Sequence, residues 1–118
     1  MAKNTNLSMT IGDDETLKFT FLDSAGDAFD IESYTFALSV KKNETSSTDI
    51  ITKTDTDFTK ASNVATVIFS DTDTTQDNKI FWITVTMTLS GSTTSVITGD
   101  LTFKYEATGS DNDTSITI

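Results

Sequence analysis

Apolar and polar residues alternate along much of this chain, most clearly over residues 79–89. Phe81, Ile83, Val85, Met87 and Leu89 lie on one face, and Thr84, Thr86 and Thr88 on the other, with Ile80 and Trp82 at the entry. Successive side chains of a strand point to opposite faces, so the pattern predicts a strand with one buried and one solvated face. After Ser90, Gly91 and Ser92 the pattern returns at Ile97, Leu101, Phe103 and Tyr105. We predict a hairpin over residues 79–105, with Phe81, Ile83, Val85 and Met87 in the core.

Shorter alternating segments predict further strands over residues 7–11, 17–21, 34–40, 49–54 and 63–70. Gly26 is placed to take a positive φ in a tight turn. The segments between strands are polar: residues 41–48 and 55–62 are interpreted as loops, and Ser70 as the cap of one helical turn. About seven strands separated by turn signals favour an antiparallel, immunoglobulin-like β-sandwich in the all-β class.

The domain organisation that follows is simple. Residues 1–6 are predicted to be an N-terminal arm, residues 7–105 the sandwich, and residues 106–118 a polar C-terminal tail. Ile116 and Ile118 alternate with Thr117 in that tail. The tail is therefore a candidate for an edge strand, or for pairing with an exposed sheet edge of a neighbour.

Composition removes several kinds of chemistry. The sequence has no Cys, His or Arg, and its basic residues are all Lys. A thiolate nucleophile, a histidine base and a bidentate clamp on phosphate are thereby excluded. The net charge of −10 opposes binding to nucleic acid or anionic lipid. We expect no enzymatic activity and no nucleic-acid or membrane partner.

An acidic loop supplies the candidate metal ligands Asp71, Asp73 and Asp77, because Ca²⁺ prefers oxygen ligands. An EF-hand loop starting at Asp71 would need Gly at its sixth and Glu at its twelfth position, where Gln76 and Trp82 stand. The prediction is therefore a solvated loop or helix start rather than a specific metal site, and no cofactor is expected.

Trp82 is the sole tryptophan. Tryptophan is highly buried on average, so Trp82 is predicted to be buried at an edge of the sandwich. The alternative is an exposed anchor for a partner. No aromatic-rich groove is evident, and carbohydrate is the least expected partner. Residues 1–6 precede no long apolar run, so no signal peptide is expected. No stretch of about 18 apolar residues is present, so no membrane span is expected either.

The order of several short segments resembles a known family. They are Gly12, Asp13, Asp14 and Glu15; residues 17–21; residues 23–26; Asp30 and Ile31; residues 34–38; residues 64–69; residues 70–74; Phe81, Trp82 and Ile83; and Gly99, Asp100 and Leu101. This order resembles the N-terminal domain of phage baseplate upper proteins and related immunoglobulin-like fibre-attachment domains. The resemblance implies a module that attaches one phage part to the virion.

The functional hypothesis is a non-enzymatic virion structural protein of a tailed phage, at the tail, baseplate or fibre junction. The expected partners are other virion proteins, including copies of this chain in the particle. The expected location is the virion, after synthesis in the host cytoplasm. Two alternatives stay open: a capsid decoration protein using the same sandwich, and a carbohydrate-binding module.

Overall fold

The structure is a computed structural model that describes residues 3–77, 79–105 and 111–117. Nine strands are present in these residues, and each is assigned its bounds here: β1 Lys3–Thr10, β2 Glu15–Leu22, β3 Thr35–Lys41, β4 Asp49–Lys53, β5 Phe58–Ala61, β6 Val64–Phe69, β7 Ile80–Leu89, β8 Ser92–Lys104 and β9 Asp111–Thr117. A 3₁₀ turn covers Asp55–Asp57, and a single α-helical turn, α1, covers Asp71–Thr74.

The strands form two sheets. Sheet A has the order β1-β8-β7-β3-β4, and sheet B has the order β5-β6-β2-β9. The segments β8-β7-β3-β4 and β5-β6-β2 follow the order of the G, F, C, C′ and D, E, B strands of immunoglobulin domains. β9 lies beside β2, where such domains place their first strand. The predicted all-β, immunoglobulin-like sandwich is confirmed.

The sheets are mixed, whereas the sequence predicted antiparallel pairing and about seven strands. β1 runs parallel to β8, and β9 runs parallel to β2. All other pairs of neighbouring strands are antiparallel. An alternating pattern indicates that a segment is extended, but it carries no information on the direction of the neighbour.

One strand that the sequence analysis missed lies in the polar segment 55–62. This segment contains the 3₁₀ turn and β5, which pairs with β6. Phe58 is the only buried residue of β5, so the segment has no alternating pattern to recognise. The strand forms because β6 offers it a backbone ladder and the core accepts Phe58.

The ends of the sheets do not coincide with the predicted domain boundaries. β1 begins at Lys3, so part of the expected arm already pairs with β8. Residues 111–117 of the expected tail form β9, with Thr114 and Ile116 buried against the core. Residues 1–2, 106–110 and 118 lie outside the described residues. Parallel pairing supplies backbone hydrogen bonds to polar segments whatever their side chains, which is why the polarity of these segments was misleading.

The core lies between the two sheets. Phe81, Ile83, Val85 and Met87 are buried in it, as predicted. Aromatic rings connect the two sheets, because Phe21 and Phe58 of sheet B both contact Phe36 of sheet A. Within sheet A, Phe81 meets Phe103 edge-on at 5.4 Å between ring centroids. Leu89 and Tyr105, at the ends of the hairpin, are exposed instead. A bulge in the β7–β8 pairing also allows two successive β8 residues, Val96 and Ile97, to be buried.

The turns between strands have the positive φ angles and side-chain hydrogen bonds that their residues favour. Gly26 has φ +87° in the turn after β2, where Asp23 accepts hydrogen bonds from the Ala25 and Asp27 N–H groups at 2.9 and 3.0 Å. Ser90 and Gly91, with φ of +51° and +81°, connect β7 and β8. Positive φ at both central residues is the backbone of a type I′ hairpin turn, which matches the twist of the flanking strands.

Candidate functional site

The outward surface of sheet A is the most distinctive surface of the molecule. β7 lies at the centre of this sheet, and its outward side chains carry no charge: they are Ile80, Trp82, Thr84, Thr86 and Thr88. We call the outward side chains of β3, β7 and β8 the outer face of sheet A. The chain has 26 charged residues, 8 basic and 18 acidic, and none of them lies on this central strand.

Hydroxyl groups order this surface. Ser39 and Thr84 share a hydrogen bond of 2.9 Å between β3 and β7, and Thr88 and Thr93 share another of 2.9 Å across the β7–β8 hairpin. A shallow depression of about 290 Å³ lies between β3, β4 and β7, and Ser39, Thr52, Thr84 and Thr86 contribute to its walls. Hydroxyls paired with each other across strands give the face a fixed arrangement of donors and acceptors.

Trp82 lies at one end of the outer face of sheet A, partly buried. The expectation that it is buried at a sandwich edge is wrong, because β7 is central and Trp82 alternates outward between the buried Phe81 and Ile83. Its neighbours across the strands are Lys41 on β3 and Asp100 on β8. A second depression of about 290 Å³ opens at this point, and we call it the Trp82 pocket; it is lined by Lys42, Asn43, Glu44, Ile80, Phe81, Trp82 and Asp100.

The acidic loop uses its carboxylates to build α1. Ser70 caps the turn, as predicted: its hydroxyl accepts from the Asp73 N–H at 3.2 Å, while the Asp73 carboxylate accepts from the Ser70 N–H at 2.9 Å. This reciprocal arrangement is a capping box, with Asp in the place of the usual Glu. Aspartates in the first turn also stabilise the helix dipole.

The three candidate metal ligands have separate contacts. Asp73 accepts a 2.6 Å hydrogen bond from the Lys53 ammonium, and Asp77 lies 3.5 Å from that of Lys79. The Asp71 carboxylate contacts the Thr72 hydroxyl at 3.5 Å. No group of three acidic side chains suited to a metal ion occurs in residues 3–77, 79–105 and 111–117. The geometry thus assigns Asp71, Asp73 and Asp77 structural contacts.

Two lysine–aspartate contacts perturb the carboxylates that they join. Partial burial acts to raise the pKa of Asp73, but the hydrogen bonds from Lys53 and Ser70 outweigh it and hold the pKa below its ordinary value. The hydrogen bond from Lys60 likewise lowers the pKa of Asp55, against desolvation and with help from the Phe36 N–H. Both carboxylates are therefore favoured in the charged form.

Glu15 carries a buried carboxylate, which is uncommon for an acidic side chain. It is 1% exposed at the start of β2. Oε2 accepts a 2.9 Å hydrogen bond from the Thr10 N–H, whereas Oε1 has no hydrogen-bond partner among the described residues. Nearby, the Thr74 hydroxyl donates to the Asp13 carbonyl at 2.7 Å and accepts from the Gly12 N–H at 3.1 Å. These contacts join α1 to the β1–β2 turn.

Comparison with protein-family models and with curated proteins finds no match to this chain. Within the part of the chain that the structure describes, the helical segments are far too short to span a membrane.

Proposed function

We propose that this chain is a non-enzymatic structural module of a tailed-phage particle, an adaptor that attaches tail, baseplate or fibre components to one another. The observation that carries the proposal is the uncharged outward row of the central strand β7, on a chain with net charge −10. Interface cores are depleted of charged residues, and this row has none; Trp82 adds one aromatic ring at its end.

The size of the face is adequate for such a role. The molecule measures 38 × 30 × 24 Å along its principal axes. A stable protein interface buries about 800 Å² on each partner, which one broad side of the sandwich can supply. The surrounding negative charge disfavours unspecific association, because like-charged copies repel one another.

The family resemblance supports the same role. Two of the segments on which it rests, residues 12–15 and 70–74, contact each other through Thr74, and Asp14 Oδ1 accepts from the Asp71 N–H at 2.8 Å. They form part of the framework that holds one end of the sandwich. The absence of Cys, His and Arg from the sequence also supports a structural rather than a catalytic role.

Incorporation of surface variants into particles tests the proposal. A charge introduced at the centre of the face, Thr86→Lys, is expected to reduce incorporation strongly, since an unpaired charge in an interface core is unfavourable. The matched control is Thr59→Lys, on an exposed position of edge strand β5 in sheet B. Equal incorporation of both variants, or absence of the native chain from purified particles, would contradict the proposal.

The position of the chain in the particle separates the two virion roles. Labelling of an affinity tag by electron microscopy at the tail, baseplate or fibre junction is the expected result for an adaptor. Labelling distributed over the shell at high copy number would instead identify a capsid decoration protein.

A further inference from the structure

We propose that the Trp82 pocket is a binding site for one ring of a neutral saccharide. This inference concerns a different part of the outer face from its hydroxyl-rich centre, and it does not depend on the proposed role in a phage particle. It rests on the position of Trp82, on the hydrogen-bonding groups around it, and on the absence of free backbone groups at its base.

The pairing register places polar groups around an indole ring. Trp82 lies directly opposite Asp100 on one side and Lys41 on the other. The loop after β3 adds Lys42, Asn43 and Glu44 to the lining of the pocket. Tryptophan combines a large apolar surface with a polar N–H group. A sugar ring presents an apolar C–H face and a rim of hydroxyls, so its two kinds of surface match this arrangement.

The polar side chains of the pocket have hydrogen-bonding groups that the described residues do not use. Within the described residues, the side chains of Trp82, Asp100, Lys42 and Glu44 make no hydrogen bond or ion pair. Asn43 uses its Oδ1 atom to accept from the Thr45 N–H and hydroxyl, which fixes the amide and leaves its NH₂ group as a donor. Carboxylates accept hydrogen bonds, whereas ammonium and amide groups donate them. A sugar hydroxyl, which can both donate and accept, therefore finds partners for both in this pocket.

The volume and charge of the pocket limit the class of ligand that it can bind. The pocket volume of about 290 Å³ is at the low end of the range for small-molecule sites, so it suits a single ring rather than a long ligand. Asp100 and Glu44 both line it, and the chain carries a net charge of −10. Anionic sugars and phosphates are therefore disfavoured, and a neutral hexose or N-acetylhexosamine is the best match.

An extended peptide is a poorer match for the pocket. β7 pairs with β3 on one side and β8 on the other along the length that contains Trp82. Its backbone N–H and C=O groups are thus occupied by the sheet, and strand addition, which depends on such groups, is not available there. Recognition at Trp82 must use side chains, as saccharide binding does.

The fluorescence of Trp82 can report sugar binding at the pocket, because Trp82 is the only tryptophan. The indole emission is recorded during titration with glucose, galactose, N-acetylglucosamine or a β-1,4-linked trisaccharide of N-acetylglucosamine. Saturation-transfer NMR detects binding independently. At least one of the four is expected to give a saturable change, with a dissociation constant of about 1 mM, as suits a shallow site. No saturable signal with any of them by either method would overturn the proposal.

Variants then place the binding at this pocket. Asp100→Ala is expected to weaken binding about tenfold, the effect of losing one hydrogen bond to a charged group. Trp82→Ala is expected to abolish the NMR signal. Tyr105→Ala, which removes another exposed aromatic ring, and Glu32→Ala, which removes an exposed carboxylate elsewhere, are expected to leave binding unchanged. Retention of full binding by both pocket variants would refute the site even if a sugar binds.

Discussion

At the scale of single residues, two lysines connect the layers of the sandwich. Lys53 on β4 of sheet A reaches Asp73 on α1, directly after β6 of sheet B, and also lies 5.5 Å from the centre of the Phe69 ring. Lys60 on β5 of sheet B bonds Asp55 at 2.8 Å and the Tyr34 carbonyl at 2.7 Å. Both lysines lie on edge strands, where charge also discourages pairing with another chain.

The lowered pKa of Asp73 predicts a specific dependence of stability on pH. A carboxyl group whose pKa is lower in the folded than in the unfolded chain stabilises the fold at pH values above its unfolded pKa, which is 3.8 for Asp73. This contribution is lost as the pH falls through the lower pKa of the folded chain. Asp73→Asn should therefore reduce the free energy of unfolding by about 1 kcal/mol at pH 7. It should also make stability less sensitive to pH below 4.

Urea unfolding at several pH values between 7 and 3, followed by Trp82 fluorescence, measures this effect. Glu32→Gln is a suitable control, because Glu32 is exposed and its side chain makes no hydrogen bond or ion pair with a described residue. If Asp73→Asn and the native chain lost stability in parallel below pH 4, the lysine contact would not contribute as proposed.

The alternation of β7 predicts opposite outcomes for neighbouring positions. Phe81 is 4% exposed and packs edge-on against Phe103. Phe81→Ala should reduce stability by about 3–5 kcal/mol, through lost transfer energy and the cavity that remains. Thr86→Ala, on the outer face, should change it by less than about 0.5 kcal/mol. Thermal unfolding by circular dichroism compares the two, and similar losses would contradict the assignment of the faces.

At the scale of elements, the terminal strands close the same side of the sandwich. β1 completes sheet A beside β8, β9 completes sheet B beside β2, and β1 and β9 contact each other. Register places Lys3 beside Ile97 of β8 and Thr117 beside Leu22 of β2. The two strands thus protect β8 and β2 from becoming sheet edges.

The role of β9 can be tested through its one buried apolar side chain among residues 113–117. Ile116 is 2% exposed, and Ile116→Ala should reduce stability by about 2–4 kcal/mol. Thr117→Ala, at an exposed neighbouring position, should have little effect. Deletion of residues 107–118 should go further and promote self-association, because it exposes the β2 edge. A truncated chain that is as stable and monomeric as the native one would show that β9 is dispensable.

At the scale of the whole molecule, the compact shape and the net charge favour a monomer in solution. The radius of gyration of the Cα atoms is 13.8 Å, close to the value of about 13.5 Å typical of a compact chain of this length. The charge of −10 repels other copies at long range.

We therefore expect the isolated chain to be monomeric or only weakly self-associating. Light scattering after size-exclusion chromatography should give a mass near 12.8 kDa. Raising the salt concentration should increase any weak association, because it screens the repulsion between copies. A stable dimer at low salt and micromolar concentration would contradict this expectation and would identify an interface that charge repulsion does not prevent.

The sequence by itself determined the fold class and most of the core. Alternation at Phe81, Ile83, Val85 and Met87 is a local property that follows from strand geometry, and burial in the structure confirms it. The same holds for the Ser70 cap and the Gly26 turn, which depend on a few neighbouring residues. Such features are predictable because their causes lie within a few positions of one another.

The tertiary structure alone decided which strands distant in sequence are neighbours, and with them the candidate sites. Backbone ladders accept polar sequences, so β5 was missed, and β9 was predicted only as a candidate edge strand outside the sandwich. The Trp82 pocket unites the loop after β3 with β7 and β8, and Asp73 meets a lysine 20 positions away. These contacts depend on the register and direction of pairing between distant segments, which a periodic pattern does not encode.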